Sequence, residues 1–239
     1  MTLAGQHIVV LGGTSGIGLA VARATAEQGA KVTVVSSRQT SVDHAVNGLP
    51  SGAQGFVADL TDSAQIHALF EQLGPLDHLV YTAGEALLLS PLAELDIADT
   101  QKFFQLRYFS ALTVIQAALP RLRPDGSITL TTGTAGPRPI PGSSVTSSLC
   151  GAVESLTRAL AVELAPIRVN AVMPGVVRTP LWDSFPEEIR DQLYRDTAAA
   201  TPLHRIGEVD EIAHAYLYLL TQPHATGTIL TLDGGAVLA

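Results

Sequence analysis

The chain has 239 residues, with 22 acidic against 14 basic side chains and a formal net charge of −8. This charge argues against nucleic-acid and membrane-surface partners, because phosphate groups would be repelled over most of the surface. A single cysteine excludes an intramolecular disulfide and a cysteine metal cluster, and no apolar run reaches the roughly 18 residues that a membrane span needs. We therefore expect a soluble cytoplasmic protein that holds no metal.

Seven short runs rich in β-branched and apolar residues alternate with helical patterns along the chain. In chain order they are HIVVLG (7–12), KVTVVS (31–36), AQGFVAD (53–59), LDHLVYT (76–82), GSITLTT (126–132), IRVNAVM (167–173) and GTILTLD (227–233). Most are apolar on both faces, as strands are when helices cover both sides of a parallel sheet. The pattern predicts an α/β fold with one doubly wound parallel sheet of about seven strands, formed by a single domain over residues 1–239.

A glycine-rich turn follows the first of these strands and opens a helix. It reads Gly12-Gly13-Thr14-Ser15-Gly16-Ile17-Gly18. Glycines at such a turn allow a tight reversal, let backbone N–H groups approach a pyrophosphate, and permit close packing of the helix on the strand. The turn predicts a dinucleotide-binding site, and a purely structural turn is the alternative.

The identity of the dinucleotide is predicted from the end of the second strand, Val35-Ser36-Ser37-Arg38. An acidic residue there would accept hydrogen bonds from the adenosine ribose and repel a 2′-phosphate. Ser37 and Arg38 instead offer a hydroxyl and a guanidinium, which are groups that bind phosphate. NADP(H) is therefore favoured over NAD(H), and a solvated surface arginine is the alternative for Arg38.

Two later stretches interrupt the alternation of strands and helices. Residues 134–144, TAGPRPIPGSS, carry three prolines and two glycines and predict neither a continuous helix nor a central strand. Residues 178–207 are punctuated by Pro180, Pro186 and Pro202 and predict a short helical excursion over the carboxyl edge of the sheet. We expect this second stretch to be a substrate lid. An apolar cover would be formed by Leu181, Trp182, Phe185 and Leu193, and the alternative is that these residues fasten the segment to the core.

The glycine spacing Gly-x-x-x-Gly-x-Gly resembles that of the short-chain dehydrogenase/reductase family, whose members are Rossmann-like oxidoreductases. The similarity continues along the whole chain, through VADL (57–60), Ala83-Gly84, IRVNAVMPG (167–175), Thr179 and TLDGG (231–235). A collinear set of this kind is far more specific than one glycine motif. It favours cofactor binding over a purely structural turn.

The resemblance also implies where the rest of the cofactor lies. Asp59 and Leu60 would flank the adenine, and the turn that contains Ala83 and Gly84 would line the ribose side. Pro174 and Gly175 belong to the same set, in which Val177 and Thr179 would meet the nicotinamide carboxamide. A carboxylate at a helix N-terminus is the alternative for Asp59, and a helix cap is the alternative for Thr179.

The chain departs from this family at the residues that transfer a proton. The family protonates its substrate with a Tyr four residues before a Lys, but neither Lys31 nor Lys102, the two lysines present, has a tyrosine at that spacing. Alignment of the fifth strand and the neighbouring helices with the family pattern places Arg107, Gly133, Thr146 and Cys150 at the Asn, Ser, Tyr and Lys positions. An aliphatic alcohol is a far weaker acid than a phenol, so ordinary carbonyl reduction is predicted to be very slow or absent.

Three interpretations of function remain open. The chain is a nicotinamide-dinucleotide-binding protein without turnover, an active NADP(H)-dependent oxidoreductase that uses non-standard residues, or a non-catalytic structural or regulatory partner subunit. Tyr108 is considered as a surrogate acid but disfavoured, because neighbouring helix residues point about 100° apart and Arg107 precedes it. Cys150 is expected to be a buried structural thiol.

Arg107 is the most informative of the replacements. One hypothesis is that it binds an anionic small-molecule ligand or the nicotinamide ribose, and the other is that it forms a salt bridge between subunits. The family resemblance implies a homo-oligomer, either a dimer or a tetramer.

Overall fold

A computed structural model describes residues 2–239 and contains one seven-stranded parallel sheet. The strands are β1 (His7–Leu11), β2 (Lys31–Ser36), β3 (Gln54–Val57), β4 (Leu76–Tyr81), β5 (Leu122–Thr131), β6 (Arg168–Pro174) and β7 (Ile229–Leu232). Their order across the sheet is β3-β2-β1-β4-β5-β6-β7. Each strand overlaps one of the seven predicted runs, which confirms the predicted fold class.

Helices cover both faces of the sheet. They are α1 (Gly16–Glu27), α2 (Gln39–Gly48), α3 (Ser63–Gln72), α4 (Ile97–Phe104), α5 (Ser110–Ala118), α6 (Ser144–Glu163), α7 (Glu187–Ala200) and α8 (Val209–Thr221). Buried side chains of α3, α5 and α6 form one core with the sheet, and those of α1, α2 and α8 form a second core on the opposite face. The central strands are therefore apolar on both sides, because each side faces a helix layer.

The chain reverses its direction of winding between β1 and β4. Strand β1 pairs with β2 on one side and with β4 on the other, so the loops after β1 and β4 diverge to opposite faces. In open α/β sheets a crevice forms at this switch point, outside the carboxyl ends of the strands. The glycine-rich turn after β1 and the Ala83-Gly84 turn after β4 both lie at this crevice.

The helical stretch around Arg107 has an irregular middle. Asp96 caps α4 by accepting hydrogen bonds from the backbone N–H groups of Ala98 and Asp99. A π-helical turn, Gln105–Phe109, then joins α4 to α5. Such turns are rare and occur frequently at functional sites. The turn sets the direction in which Arg107 points.

Residues 178–207 form a separate structural unit at the carboxyl edge of the sheet. After a 3₁₀ turn at Pro180–Trp182 the chain forms α7, which is longer than the short excursion expected from the prolines. The apolar residues of the segment pack mainly on one another, around buried Trp182, Tyr194 and Ile206. Leu87, from the loop after β4, packs on the same cluster.

The predicted irregular stretch before Ser144 is confirmed, since α6 begins at that residue.

The amino edge of the sheet, opposite the crevice, carries a buried polar network centred on His78. Its Nδ1 lies 2.8 Å from Ser127 Oγ, and its Nε2 lies 2.9 Å from Gln6 Oε1. Burial, followed by the nearby charge of Arg168, lowers the pKa of His78 from its ordinary 6.5 to about 4. The folded protein therefore holds this imidazole neutral at a pH where the unfolded chain protonates it.

We expect His78 to make the protein less stable as the pH falls from about 6.5 towards 4, because only the unfolded chain takes up the proton in that window. Between pH 7 and 4.5 the loss attributable to His78 is about 2 kcal/mol in the free energy of unfolding. Urea unfolding of wild type and His78→Asn at both pH values measures it, with exposed His44→Asn as control. Equal pH dependence in wild type and His78→Asn would contradict the prediction.

Candidate functional site

The turn after β1 is built around glycines that no other residue can replace without displacing backbone. Gly12 has φ +80°, and its N–H donates to the carbonyl of Val35 at 2.9 Å. A Cβ added to Gly12 would lie 2.7 Å from the Cα of Ala83, and one added to Gly18 would overlap the carbonyl oxygen of Gly12. The turn, the end of β2 and the turn after β4 are thus in direct contact.

The N-terminus of α1 faces the crevice with its backbone N–H groups uncapped by a side chain. Ser15 occupies the N-cap position and makes no side-chain capping bond. The first N–H groups of a helix have no partner within the helix, and its positive dipole end attracts anions. Thr179 lies beside this turn, because a Cβ added to Gly16 would be 3.5 Å from the Thr179 Cβ. Thr14, Ile17 and Gly18 complete this turn, and we call residues 12–18 the glycine cradle.

The residues after β2 and β3 lie at the far end of the same crevice. Ser37 and Arg38 directly follow β2, both are exposed, and Arg38 makes no ion pair among residues 2–239. Asp59 is exposed and accepts hydrogen bonds from the N–H and hydroxyl of Thr61, whereas Leu60 is buried in the core. The N-cap of α3 is Asp62, so the helix-terminal alternative for Asp59 is wrong.

The end of β4 presents a tyrosine that the sequence analysis did not consider as an acid. The hydroxyl of Tyr81 donates to the carbonyl of Leu106 at 2.5 Å. Burial raises its pKa well above the ordinary value for a phenol, with the charge of Glu85 acting in the same direction. Tyr81 is thus a structural side chain and no proton donor near neutral pH. Thr82 follows it and donates from Oγ1 to the carbonyl of Leu11 at 2.9 Å.

The segment after β6 approaches the crevice from the other side. The N–H of Gly175, which follows Pro174, donates to the carbonyl of Leu232 at 3.0 Å. Val177 is buried, and its carbonyl accepts a hydrogen bond of 2.9 Å from the indole Nε1 of Trp182. Thr179 occupies the N-cap position of the following 3₁₀ turn but makes no side-chain capping bond.

The residues predicted at the Ser, Tyr and Lys positions lie together beside the crevice. Gly133 follows β5, and a Cβ added to it would lie 3.6 Å from the Sγ of Cys150 on α6. Thr146 is one turn earlier on α6, and its hydroxyl donates to the carbonyl of Leu88 at 2.8 Å. Both α6 side chains are buried, at 4% exposure for Thr146 and 6% for Cys150.

None of these groups has the acid strength that carbonyl reduction needs. The Thr146 hydroxyl is already engaged with a backbone carbonyl, and an aliphatic alcohol does not ionise near neutrality. Burial raises the pKa of the Cys150 thiol, while its hydrogen bond with Thr132 acts in the opposite direction. Gly133 has no side chain at all. The expected burial of Cys150 is confirmed.

Arg107 points into this site from the π-helical turn. Its Nη2 donates to the backbone carbonyl of Glu85, and its guanidinium carbon lies 5.0 Å from the centre of the Phe103 ring. Three guanidinium atoms lie within 2.8 Å of where a Cβ on Gly84 would be. The absence of a side chain at Gly84 therefore leaves room for the guanidinium at the carboxyl end of β4.

Tyr108 follows Arg107 in the π-helical turn and lies among aromatic and apolar side chains. Its ring packs on Phe104 and Phe109, with centroid separations of 6.3 and 5.5 Å. It also packs on the apolar cluster that contains Val145 and Leu149 of α6. Phe103, over which the Arg107 guanidinium lies, belongs to the same cluster, so both side chains border it while the Tyr108 ring packs on its apolar members.

Within residues 2–239, no group of three or more His, Cys, Asp or Glu side chains is placed to hold a metal ion. The same residues contain no helix with the length and apolarity needed to cross a bilayer.

Comparison with known sequences gives consistent matches over the full chain. A family model described as "Enoyl-(Acyl carrier protein) reductase" matches residues 12–237. The chain is 38% identical over 253 residues to "Short-chain dehydrogenase/reductase ATR9" of Stachybotrys chlorohalonatus, with 99% of each sequence covered. It is 34% identical over 255 residues to "3alpha-hydroxysteroid dehydrogenase" of Mediterraneibacter gnavus, covering 99% of the chain and 98% of that protein.

Solved structures also resemble the chain over nearly its full length. A small-chain dehydrogenase crystallised in complex with NADPH superposes with a TM-score of 0.88 at 32% identity, covering 98% of this chain and 100% of that one. A structure described as the MalC Reductase/Diels-Alderase from Malbranchea aurantiaca superposes with a TM-score of 0.92 at 31% identity, covering 99% of this chain and 98% of that one.

Proposed function

Because the chain belongs to the short-chain dehydrogenase/reductase family, we propose that it binds NADP(H) at the crevice but lacks the acid-base groups for ordinary carbonyl reduction. The observation that carries this proposal is a contrast within one site. The glycine cradle is closed against the backbone of two neighbouring loops, whereas the positions that would deliver a proton hold Gly133, Thr146 and Cys150.

The cradle suits a dinucleotide because its backbone is tightly closed and the N-terminus of α1 is open to an anion. Side chains are absent at Gly12 and Gly18, where a Cβ would meet backbone, and the α1 N-terminus is left without a side-chain cap. A pyrophosphate would accept hydrogen bonds from these N–H groups. When bound, the cofactor supplies a hydride. Val177 and Thr179 would hold its nicotinamide end, and Asp59 with Leu60 its adenine end.

The proposed preference for NADP(H) rests on Ser37 and Arg38. Both side chains are exposed immediately after β2, and neither carries a negative charge that would repel a 2′-phosphate. The structural neighbour in complex with NADPH supports the same preference.

Replacing Arg38 with alanine is expected to weaken NADPH binding about 10- to 100-fold, because one charge-assisted hydrogen bond to the 2′-phosphate is lost. NADH binding should change less than about twofold. Isothermal titration calorimetry of both cofactors measures the difference. The matched control is Arg23→Ala, which alters another exposed arginine, on α1. Equal losses for NADPH and NADH, or no loss for either, would refute the role of Arg38.

The missing acid does not exclude all chemistry at the site. Hydride transfer to a carbonyl creates an alkoxide that must be protonated, and the family accomplishes this with its tyrosine. A substrate that brings its own acidic group would need no such residue, so an active oxidoreductase with non-standard residues remains the first alternative. Homo-oligomerisation, a cytoplasmic location and a lid function for residues 178–207 remain predictions.

A second candidate function is catalysis of a cycloaddition. It is favoured by the full-length similarity to a structure described as a reductase and Diels–Alderase. A Diels–Alder reaction forms two carbon–carbon bonds without any proton transfer, so the loss of the tyrosine and lysine would not impair it. Mass spectrometry of product separates the two candidates, because cycloaddition within one molecule leaves the mass unchanged whereas reduction adds two hydrogens.

A further inference from the structure

The guanidinium of Arg107 carries a charge that the described chain does not neutralise. Arg107 is half-buried but forms no ion pair with any side chain among residues 2–239. Its Nε is shielded from solvent and has no hydrogen-bond partner, and Nη2 has a neutral acceptor, the carbonyl of Glu85. Buried charges in proteins are normally paired, because desolvation of an unpaired ion is costly.

Glu85 is the obvious internal partner, but it does not act as one. Its backbone carbonyl accepts from Arg107, while its carboxylate side chain is exposed and lies beyond ion-pair distance. Burial lowers the pKa of Arg107, and the charge of Glu85 acts in the opposite direction. A guanidinium remains protonated at neutral pH even when it is partly desolvated.

The surroundings of the guanidinium define what kind of anion it would meet. On one side lies the Gly84 backbone at the end of β4, near the crevice. Beneath it lies the ring of buried Phe103, which packs with Val145 and Leu149 of α6. Leu87 packs on this apolar cluster and also on the cluster formed by residues 178–207. The charged, planar guanidinium therefore lies at the edge of an apolar surface.

We propose that Arg107 binds the carboxylate of a substrate whose remaining body is apolar, and so determines the substrate class of this site. A guanidinium binds carboxylate oxygens through parallel hydrogen bonds, and an ion pair in a partly desolvated site is stronger than one in water. The inference rests on the proposed function for the location of the site. It does not require that cofactor binds first.

The rival explanation is that Arg107 only holds the Glu85 loop in place. That role requires the hydrogen bond to a backbone carbonyl and is indifferent to the charge of any ligand. Arg138, in the loop before α6, offers a matched comparison, because it also donates to a backbone carbonyl, that of Ala236. A test must therefore compare an anionic probe with its neutral counterpart.

The experiment is calorimetric titration of 3-phenylpropionate and of 3-phenylpropionamide into wild type, Arg107→Gln, Arg107→Lys and Arg138→Gln, each with and without NADPH. We expect wild type and Arg138→Gln to bind the carboxylate at least about tenfold more tightly than the amide. Arg107→Gln should lose this preference while its affinity for the amide stays within about twofold. Arg107→Lys should keep part of the preference, because it keeps the charge without the planar fork.

Equal affinity of wild type for the two probes, or no binding of either, would overturn the proposal. So would a parallel loss of both probes in Arg107→Gln, which is the result expected of a loop-holding residue. Because the comparison of the two probes on wild type needs no variant, a folding defect in Arg107→Gln leaves the proposal testable. Failure to bind NADPH, with the carboxylate preference intact, would refute the proposed function and leave this inference standing.

Discussion

Replacing Gly12 with alanine is expected to weaken NADPH binding at least about 100-fold and to lower the free energy of unfolding by about 2 to 5 kcal/mol. Gly12 has φ +80°, which is strained for any residue with a Cβ, and that Cβ would lie 2.7 Å from backbone atoms of Ala83. Relief of the contact must move either the phosphate turn or the turn after β4. Calorimetric titration and urea unfolding measure the two effects.

Gly5 provides a matched control for the backbone strain. It has φ +76°, but a Cβ added there would meet no atom within 4 Å. Gly5→Ala should therefore lose about 1 kcal/mol of stability and bind NADPH with unchanged affinity. If Gly12→Ala behaved like Gly5→Ala, the close approach of the two turns would not matter and the cradle would be merely structural.

Wild-type protein is expected to reduce simple ketones about 10²- to 10⁴-fold more slowly than a relative that retains Tyr-x-x-x-Lys, because no positioned acid protonates the alkoxide. The deficiency should appear in the chemical step and not in cofactor binding. Single-turnover mixing of the NADPH complex with a ketone panel, followed by the loss of NADPH absorbance, measures it directly against an intact relative.

Two variants show whether the replacement residues contribute to any residual rate. Thr146→Val removes the hydroxyl that donates to Leu88, and Cys150→Ala removes the buried thiol. Each should change the residual rate less than about threefold, since neither group is an effective acid. Rates ordinary for the family, or a tenfold drop in either variant, would disprove the loss of proton chemistry.

The sheet and the cradle could be predicted from sequence because local pattern determines them. A strand such as β1 is buried on both faces and reads as an apolar run, and Gly12 and Gly18 are the residues that allow backbone to approach backbone. The relative placement of Gly133, Thr146 and Cys150 could also be predicted from sequence, because it is determined by helical spacing and by the end of a strand.

Other parts of the site depend on long-range packing that no local pattern reports. The π-helical turn aims Arg107 at Gly84, and nothing in the letters QLRYF distinguishes it from ordinary helix. The engagement of Tyr81 with Leu106 depends on the approach of two elements distant in sequence. The internal packing of residues 178–207 could not be predicted from sequence either, because the apolar residues there were equally compatible with a cover over the substrate.

Trp182, whose indole is held by its hydrogen bond to the carbonyl of Val177, is an intrinsic fluorescent probe. Trp182 is the single tryptophan of the chain and is buried at the base of the segment that leads into α7. Indole emits in the near-ultraviolet band that a dihydronicotinamide absorbs, so the two groups form a donor and acceptor for energy transfer. With NADPH bound as proposed, quenching of the emission would report the separation between this segment and the reduced ring, and its time course the rate of approach, without any attached dye.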